Sequence, residues 1–292
     1  MKNRLRSIDY RNRLLSPTEA DVWFTMVPEH ITPTTEVHGR LTGPRCLFAT
    51  TVEIAYPLRP VPGAPEGLRP LTKRVIIPEP SLWDPQSPFV YQADVELWQD
   101  GEPCDRARFD VGLTSLTLGP RGLRCNGRPL AIQGTASLPS PDDVQRLRQA
   151  GYNLLVAPLE GHAPWWTTAN RYGFLMLGRL PPTASALSLA HTMGGQVCAL
   201  GWILEQPLPG TSAPEEWLNR LRARGHLIGI ELDRPPTSAL PDWLSFVVAP
   251  EAALSTVSGI NLPKLVVREA SSAKSDQSAE AVITGILGWI DL

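Results

Sequence analysis

An immunoglobulin-like β-sandwich followed by a truncated (β/α) TIM-barrel-like domain is the fold class that three features of the sequence predict. Up to about residue 118 the apolar runs are short, rich in β-branched and aromatic residues, and separated by Pro and Gly turns. Beyond residue 129 strand-like runs recur at intervals of roughly twenty to thirty residues, with helix signals between them. The length of 292 residues fits two cores better than one, because single cores stop growing near roughly 250 residues. The expected division gives residues 1–120 to the sandwich and 121–292 to the barrel.

In the first half, strands are expected near Val22–Val27, Thr35–Leu41, Cys46–Tyr56, Lys73–Ile77, Val90–Trp98 and Asp105–Thr117. Val95-Glu96-Leu97-Trp98 alternates apolar and polar residues and runs into Asp100-Gly101, a pair that closes two-residue hairpins because both positions need positive φ. The proline-rich stretch Pro57 to Pro70 reads as an extended loop.

In the second half, strand-like runs begin at Leu130, Asn153, Phe174, Val197, His226, Leu244 and Leu262. Runs such as Asn153-Leu154-Leu155-Val156 lack alternation, as buried parallel strands do. Ser140-Pro141-Asp142-Asp143 supplies a cap, a first-turn proline and acids at a helix start, with Gly151 as the stop. Ser212 and Glu215 form a capping box before a helix from Pro214 to Arg224, whose Trp217, Leu218 and Leu221 share one face ahead of Gly225. Ala279 to Ile290 reads as an amphipathic closing helix, so seven strands are visible.

Composition narrows the function. A formal net charge of -2 and the absence of any Lys/Arg run argue against a nucleic-acid partner. No stretch approaches the ~18 uninterrupted apolar residues of a membrane span. The start, Met1-Lys2-Asn3-Arg4-Leu5-Arg6, passes into Ser7-Ile8-Asp9-Tyr10 without the apolar segment of a secretory leader. Cys46, Cys104, Cys125 and Cys198 are widely spaced without a C-x-x-C pair, so a cytoplasmic location is expected, with neither zinc nor a disulfide framework. His30, His38, His162, His191 and His226 show no metal-ligand spacing, and no glycine-rich phosphate loop is present, so no cofactor is expected.

Four motifs at the join carry a family resemblance. Leu82-Trp83-Asp84-Pro85-Gln86-Ser87-Pro88-Phe89-Val90-Tyr91 is followed by Phe109-Asp110-Val111-Gly112-Leu113. Next come Gly122-Leu123-Arg124-Cys125-Asn126-Gly127-Arg128-Pro129 with Gln133-Gly134, and then Asp142 through Arg148-Gln149-Ala150-Gly151-Tyr152-Asn153. With the Asp100-Gly101 turn between the first two, this order resembles the sandwich-to-barrel segment of the family-2 glycoside hydrolases, the family of β-galactosidases, β-glucuronidases and β-mannosidases. Trp83, Tyr91 and Asn126-Gly127 read as builders of the fold, so the motifs themselves carry no chemistry.

The resemblance implies a retaining mechanism, which needs two carboxyl groups about 5 Å apart at C-terminal strand ends. Counting strands places Glu205 as the acid/base after the fourth and Glu269 as the nucleophile after the seventh. The surroundings depart from the family. Its Asn before the acid/base is Leu204, its strand-two Arg is Val156, its strand-three acidic pair is Gly178-Arg179, and its first-strand "N-x-H" is Ala136-Ser137-Leu138. Residues 130–292 supply 163 residues, where such barrels use about 250. A catalytically inert relative that binds carbohydrate or protein is therefore expected, with an active retaining exo-β-glycosidase as the alternative. His162, Trp165, Trp166 and Trp202 are the residues expected to contact a sugar, and helix packing accounts for the paired tryptophans about as well. The sequence specifies no oligomeric state.

Overall fold

The computed structural model describes residues 3–61, 71–119, 122–140, 142–159, 163–181, 183–205, 215–236, 239–268 and 286–291. The chain divides into two compact units, Met1–Thr114 and Ser115–Leu292.

The first unit contains β1 (Leu5–Leu15), β2 (Glu19–Pro28), β3 (Glu36–Arg45), β4 (Ile54–Pro57), β5 (Arg59–Pro60), β6 (Thr72–Pro78), β7 (Val90–Gln99) and β8 (Glu102–Gly112). They form two antiparallel sheets in the orders β1-β2-β6-β5 and β4-β3-β7-β8. In β2 every second residue is buried, which turns Ala20, Val22, Phe24 and Met26 onto Val37, Leu41, Ala93, Val95 and Leu97 of the other sheet. Each large apolar side chain in this layer contributes about 1.5–3 kcal/mol by leaving water. Asp100 (φ 54) and Gly101 (φ 79) close the hairpin between β7 and β8, as their residue types require.

Four expectations for this unit are corrected. β1 was absent from the expected strands, yet it pairs with β2 along the sheet edge. The Cys46–Tyr56 run is strand only from Ile54, because residues 46–53 turn back: the Cys46 sulfur accepts from the Phe48 N–H, and Arg45 pairs with Glu53 at 2.7 Å. The Asp105–Thr117 run is broken after Gly112, and Leu116 already belongs to the second unit. Of the expected Pro57–Pro70 loop, Arg59–Pro60 pairs with β6, and residues 62–70 lie outside the described residues.

The second unit opens with a small sheet of β9 (Leu116–Gly119), β10 (Gly122–Cys125) and β11 (Arg128–Pro129). Its turn uses Asn126 (φ 50) and Gly127 (φ 78), the same device as Asp100-Gly101. The barrel strands follow: β12 (Ile132–Thr135), β13 (Leu154–Pro158), β14 (Leu175–Leu180), β15 (Ala199–Leu204), β16 (Leu227–Glu231), β17 (Phe246–Pro250), β18 (Lys264–Arg268) and β19 (Ile286–Asp291). All eight are parallel, and β19 pairs with β12 to close the barrel. Between them lie α1 (Val144–Gln149), α2 (Ala163–Tyr172), α3 (Ala184–Met193), α4 (Glu215–Ala223) and α5 (Leu254–Val257).

The expected closing helix is another correction. Residues 286–291 form the eighth strand, and residues 279–285 lie outside the described residues. Leu287 and Ile290 are spaced as on a helix face, but Gly288 lets the strand approach β12, where a Cβ would fall 2.0 Å from the Ile132 carbonyl oxygen. The expected cap of α1 also differs. Asp143 is the N-cap without a side-chain cap bond, since its carboxylate accepts instead from Ser140 Oγ at 2.6 Å and Arg146 at 3.1 Å. The capping-box serine Ser212 lies outside the described residues.

Candidate active site

The two faces of the barrel wall follow from the pairing. Residues opposite one another in a ladder point the same way. Gly178 lies opposite Trp202, and a Cβ on Gly178 would sit 2.5 Å from the Trp202 ring and 3.4 Å from Trp166 of α2, so this row faces the helices. The neighbouring row, Arg179, Ile203 and Gly229, therefore faces the barrel interior, as does Glu231 two residues further along β16.

Arg179 and Glu231 meet there. Arg179 Nη1 lies 2.5 Å from Glu231 Oε1, with their side chains 27% and 45% exposed. They come from β14 and β16, so the ion pair crosses over β15 at the C-terminal end of the barrel, where a barrel enzyme builds its site. Sequence reading placed Arg179 only as a departure from a family motif and did not single out Glu231. Both stand at strand ends, which is the signal that could have found them.

Glu205 directly follows β15, is exposed, and donates its backbone N–H to the Leu180 carbonyl at 3.0 Å. Leu204 before it points with Trp202 into the outer layer and is buried, so this position offers no donor to a sugar hydroxyl. Val156 is equally buried and apolar. Glu269 comes next after β18 and lies outside the described residues. Its neighbour Arg268 is engaged with Asp291 at 2.7 Å.

The expected sugar contacts divide. Trp166 and Trp202 are fully buried and stack on each other, with ring centroids 5.3 Å apart and planes at 28°. Trp202 Nε1 donates to His226 Nδ1 at 3.4 Å, and His226 Nε2 donates to the Gly194 carbonyl at 3.0 Å. Burial chiefly holds the His226 pKa down at about 4, so the ring is neutral and fits this donor and acceptor pattern. These two indoles are packing between sheet and helices, with no face open to a dissolved sugar. Trp165, in the first turn of α2, is half-buried and remains accessible, and His162 lies outside the described residues.

The described walls are low. Leu180 ends β14 and Ala184 begins α3, leaving three residues between them. The 3-10 turn Glu251–Ala253 follows β17 immediately. No group of three or more metal-ligating side chains occurs among the described residues.

The chain is thus an antiparallel sandwich followed by a closed eight-stranded parallel barrel, with Glu205 and Glu231 at C-terminal strand ends. Residues 50–113 match the model of the glycosyl hydrolases family 2. A β-galactosidase of Klebsiella pneumoniae is 26% identical over 112 residues, which cover 34% of this chain and 11% of that protein. A β-glycosidase from Bacteroides vulgatus superposes with a TM-score of 0.64 at 16% identity, over 92% of this chain and 39% of that one. Ruminococcus gnavus β-glucuronidase gives 0.64 at 12% identity, over 99% and 62%. The chain is similar to the glycosyl hydrolases family 2 in sequence over residues 50–113 and to these structures in fold along almost its whole length. It spans less than two thirds of the length of these relatives.

Proposed function

We propose that this protein is a catalytically silent relative of the family-2 glycoside hydrolases that binds carbohydrate or protein at the C-terminal end of its barrel. The Arg179–Glu231 ion pair carries this reading: it occupies the mouth with side chains bonded to each other, where a hydrolase directs donors at substrate. Leu204 and Val156 support it, because two positions that hold polar sugar contacts in the family are buried and apolar here. Losing a contact that strengthens in the transition state removes rate more than affinity.

A second reading is favoured by the position of Glu205 directly after the fourth barrel strand. Here the protein is a retaining exo-β-glycosidase with Glu205 as acid/base and Glu269 as nucleophile. Assays with 4-nitrophenyl β-galactoside and β-glucuronide separate the two. The silent reading expects no turnover, together with heat of binding on titration of galactose or glucuronate. Turnover that disappears in Glu269→Gln establishes the second reading instead. A cytoplasmic location belongs to the proposal and rests on the four free thiols. Among the described residues no helix is long and apolar enough to cross a membrane.

A further inference from the structure

The opposite end of the barrel holds a cleft of about 1180 Å³, between the β9–β10 hairpin and the starts of β16, β18 and β19. That volume suits a small organic ligand. The cleft is real space beside its glycines: a Cβ built on Gly119, Gly122 or Gly259 meets nothing within 4 Å. Its lining is mixed, with aliphatic wall from Leu116, Leu227, Leu262 and Leu287 and polar groups from Ser245 and Asn261 among them.

Among the described residues that line it, Lys264 is the single charged side chain and none is a carboxylate. Only 2% of Lys264 is exposed. Its ammonium donates to the Ile260 carbonyl at 2.8 Å and the Leu262 carbonyl at 3.1 Å, which uses two of three N–H donors and supplies no opposite charge. A desolvated ammonium without a counterion is costly, and an anion entering beside it relieves that cost. Burial accordingly holds the Lys264 pKa below the usual lysine range.

We propose that this cleft binds a small amphipathic carboxylate, its hydrocarbon body against the leucines and its acid group on Lys264. The site lies at the end of the barrel opposite Glu205 and does not depend on whether the barrel mouth is catalytic. Isothermal titration with octanoate, 1-octanol and inorganic phosphate tests it. The expected result is saturable octanoate binding, at least tenfold weaker 1-octanol binding, and no heat from phosphate. Lys264→Met should weaken octanoate at least tenfold while leaving 1-octanol unchanged. Gly259→Phe, which places a ring in the open space and keeps Lys264, should weaken both and serves if Lys264→Met does not fold. Equal affinity for octanoate and octanol, phosphate binding as tight as octanoate, or octanoate binding undiminished by Gly259→Phe would each overturn the assignment.

Discussion

The Tyr152 hydroxyl donates to Asp291 Oδ2 at 2.5 Å, while Arg268 Nε donates to the other oxygen of the same carboxylate at 2.7 Å. One carboxylate thus ties the segment before β13 to the ends of β18 and β19, across the closure of the barrel. Asp291 is only 4% exposed, and its bond to the phenol, followed by burial, pushes the Tyr152 pKa up. Asp291→Ala should lower barrel stability by about 2–4 kcal/mol, since it strands the Arg268 guanidinium, and Tyr152→Phe by about 1 kcal/mol. Urea unfolding followed by tryptophan fluorescence reads both; an Asp291→Ala change within about 0.5 kcal/mol would show that closure does not depend on this carboxylate.

The stacked indoles make a second prediction. Trp166→Ala and Trp202→Ala should each cost about 3–5 kcal/mol by opening a cavity between sheet and helices. Gly178→Ala should cost about 1–3 kcal/mol by forcing a methyl group into the Trp202 ring. The same unfolding experiment applies. Unchanged stability in the tryptophan variants, with loss of sugar binding, would return these rings to a surface role.

His226 predicts a pH dependence. Its folded pKa of about 4 lies below the ordinary value of 6.5, so the unfolded chain takes up the proton first as the pH falls. The stabilisation is complete above pH 6.5, declines between pH 6.5 and 4, and is flat below that. Its size is on the order of 3 kcal/mol. The groups acting on the ring include the Gly194 carbonyl, the Arg224 guanidinium and His191. A His226→Gln variant should lose this part of the pH slope while the carboxylate contribution persists. Parallel slopes for the two proteins between pH 6.5 and 4 would contradict the buried neutral imidazole.

Thiol chemistry offers a fourth. Cys198 is fully buried, donates to the Trp166 carbonyl at 3.4 Å, and has its pKa pushed well up by desolvation, so the reactive thiolate is suppressed. Cys125 is also buried, whereas Cys46 and Cys104 are half-buried. In the native protein an aromatic disulfide reagent should modify Cys46 and Cys104 first, with Cys125 and Cys198 reacting only on unfolding. Rapid native labelling of Cys198, identified by peptide mass, would contradict this packing.

Local chemistry was the most legible part of the sequence. Asp100-Gly101 and Asn126-Gly127 announce their turns, because positive φ at two successive residues restricts the choice of residue. Leu5–Leu15 was not legible as a strand, since an edge strand with one partner tolerates Arg6, Arg11 and Arg13 and blurs the alternation. Ile286–Asp291 is ambiguous by period alone, and only the approach to β12 settles it. The candidate site was legible only as the position of Glu205 after the fourth barrel strand, which follows from counting strands, and its acid/base role belongs to the proposal. It was not legible at Arg179 and Glu231, which meet only because the barrel brings alternate strands together. Nor could sequence decide which way Trp202 points, because a parallel barrel strand is apolar on both faces.

The pairing of Gly229 with Phe246 has a different kind of consequence. A Cβ on Gly229 would fall 2.4 Å from the Phe246 ring, so the bulk missing from one strand is supplied by the next. Neither residue can be exchanged freely first: a methyl group at 229 collides with the ring, and a smaller side chain at 246 leaves a void. Mutational paths through this part of the barrel are thus ordered. Shrinking Phe246 must come before Gly229 can grow, and the intermediate carries the full cost of the void, which separates this barrel from one with the opposite arrangement by a step of low stability.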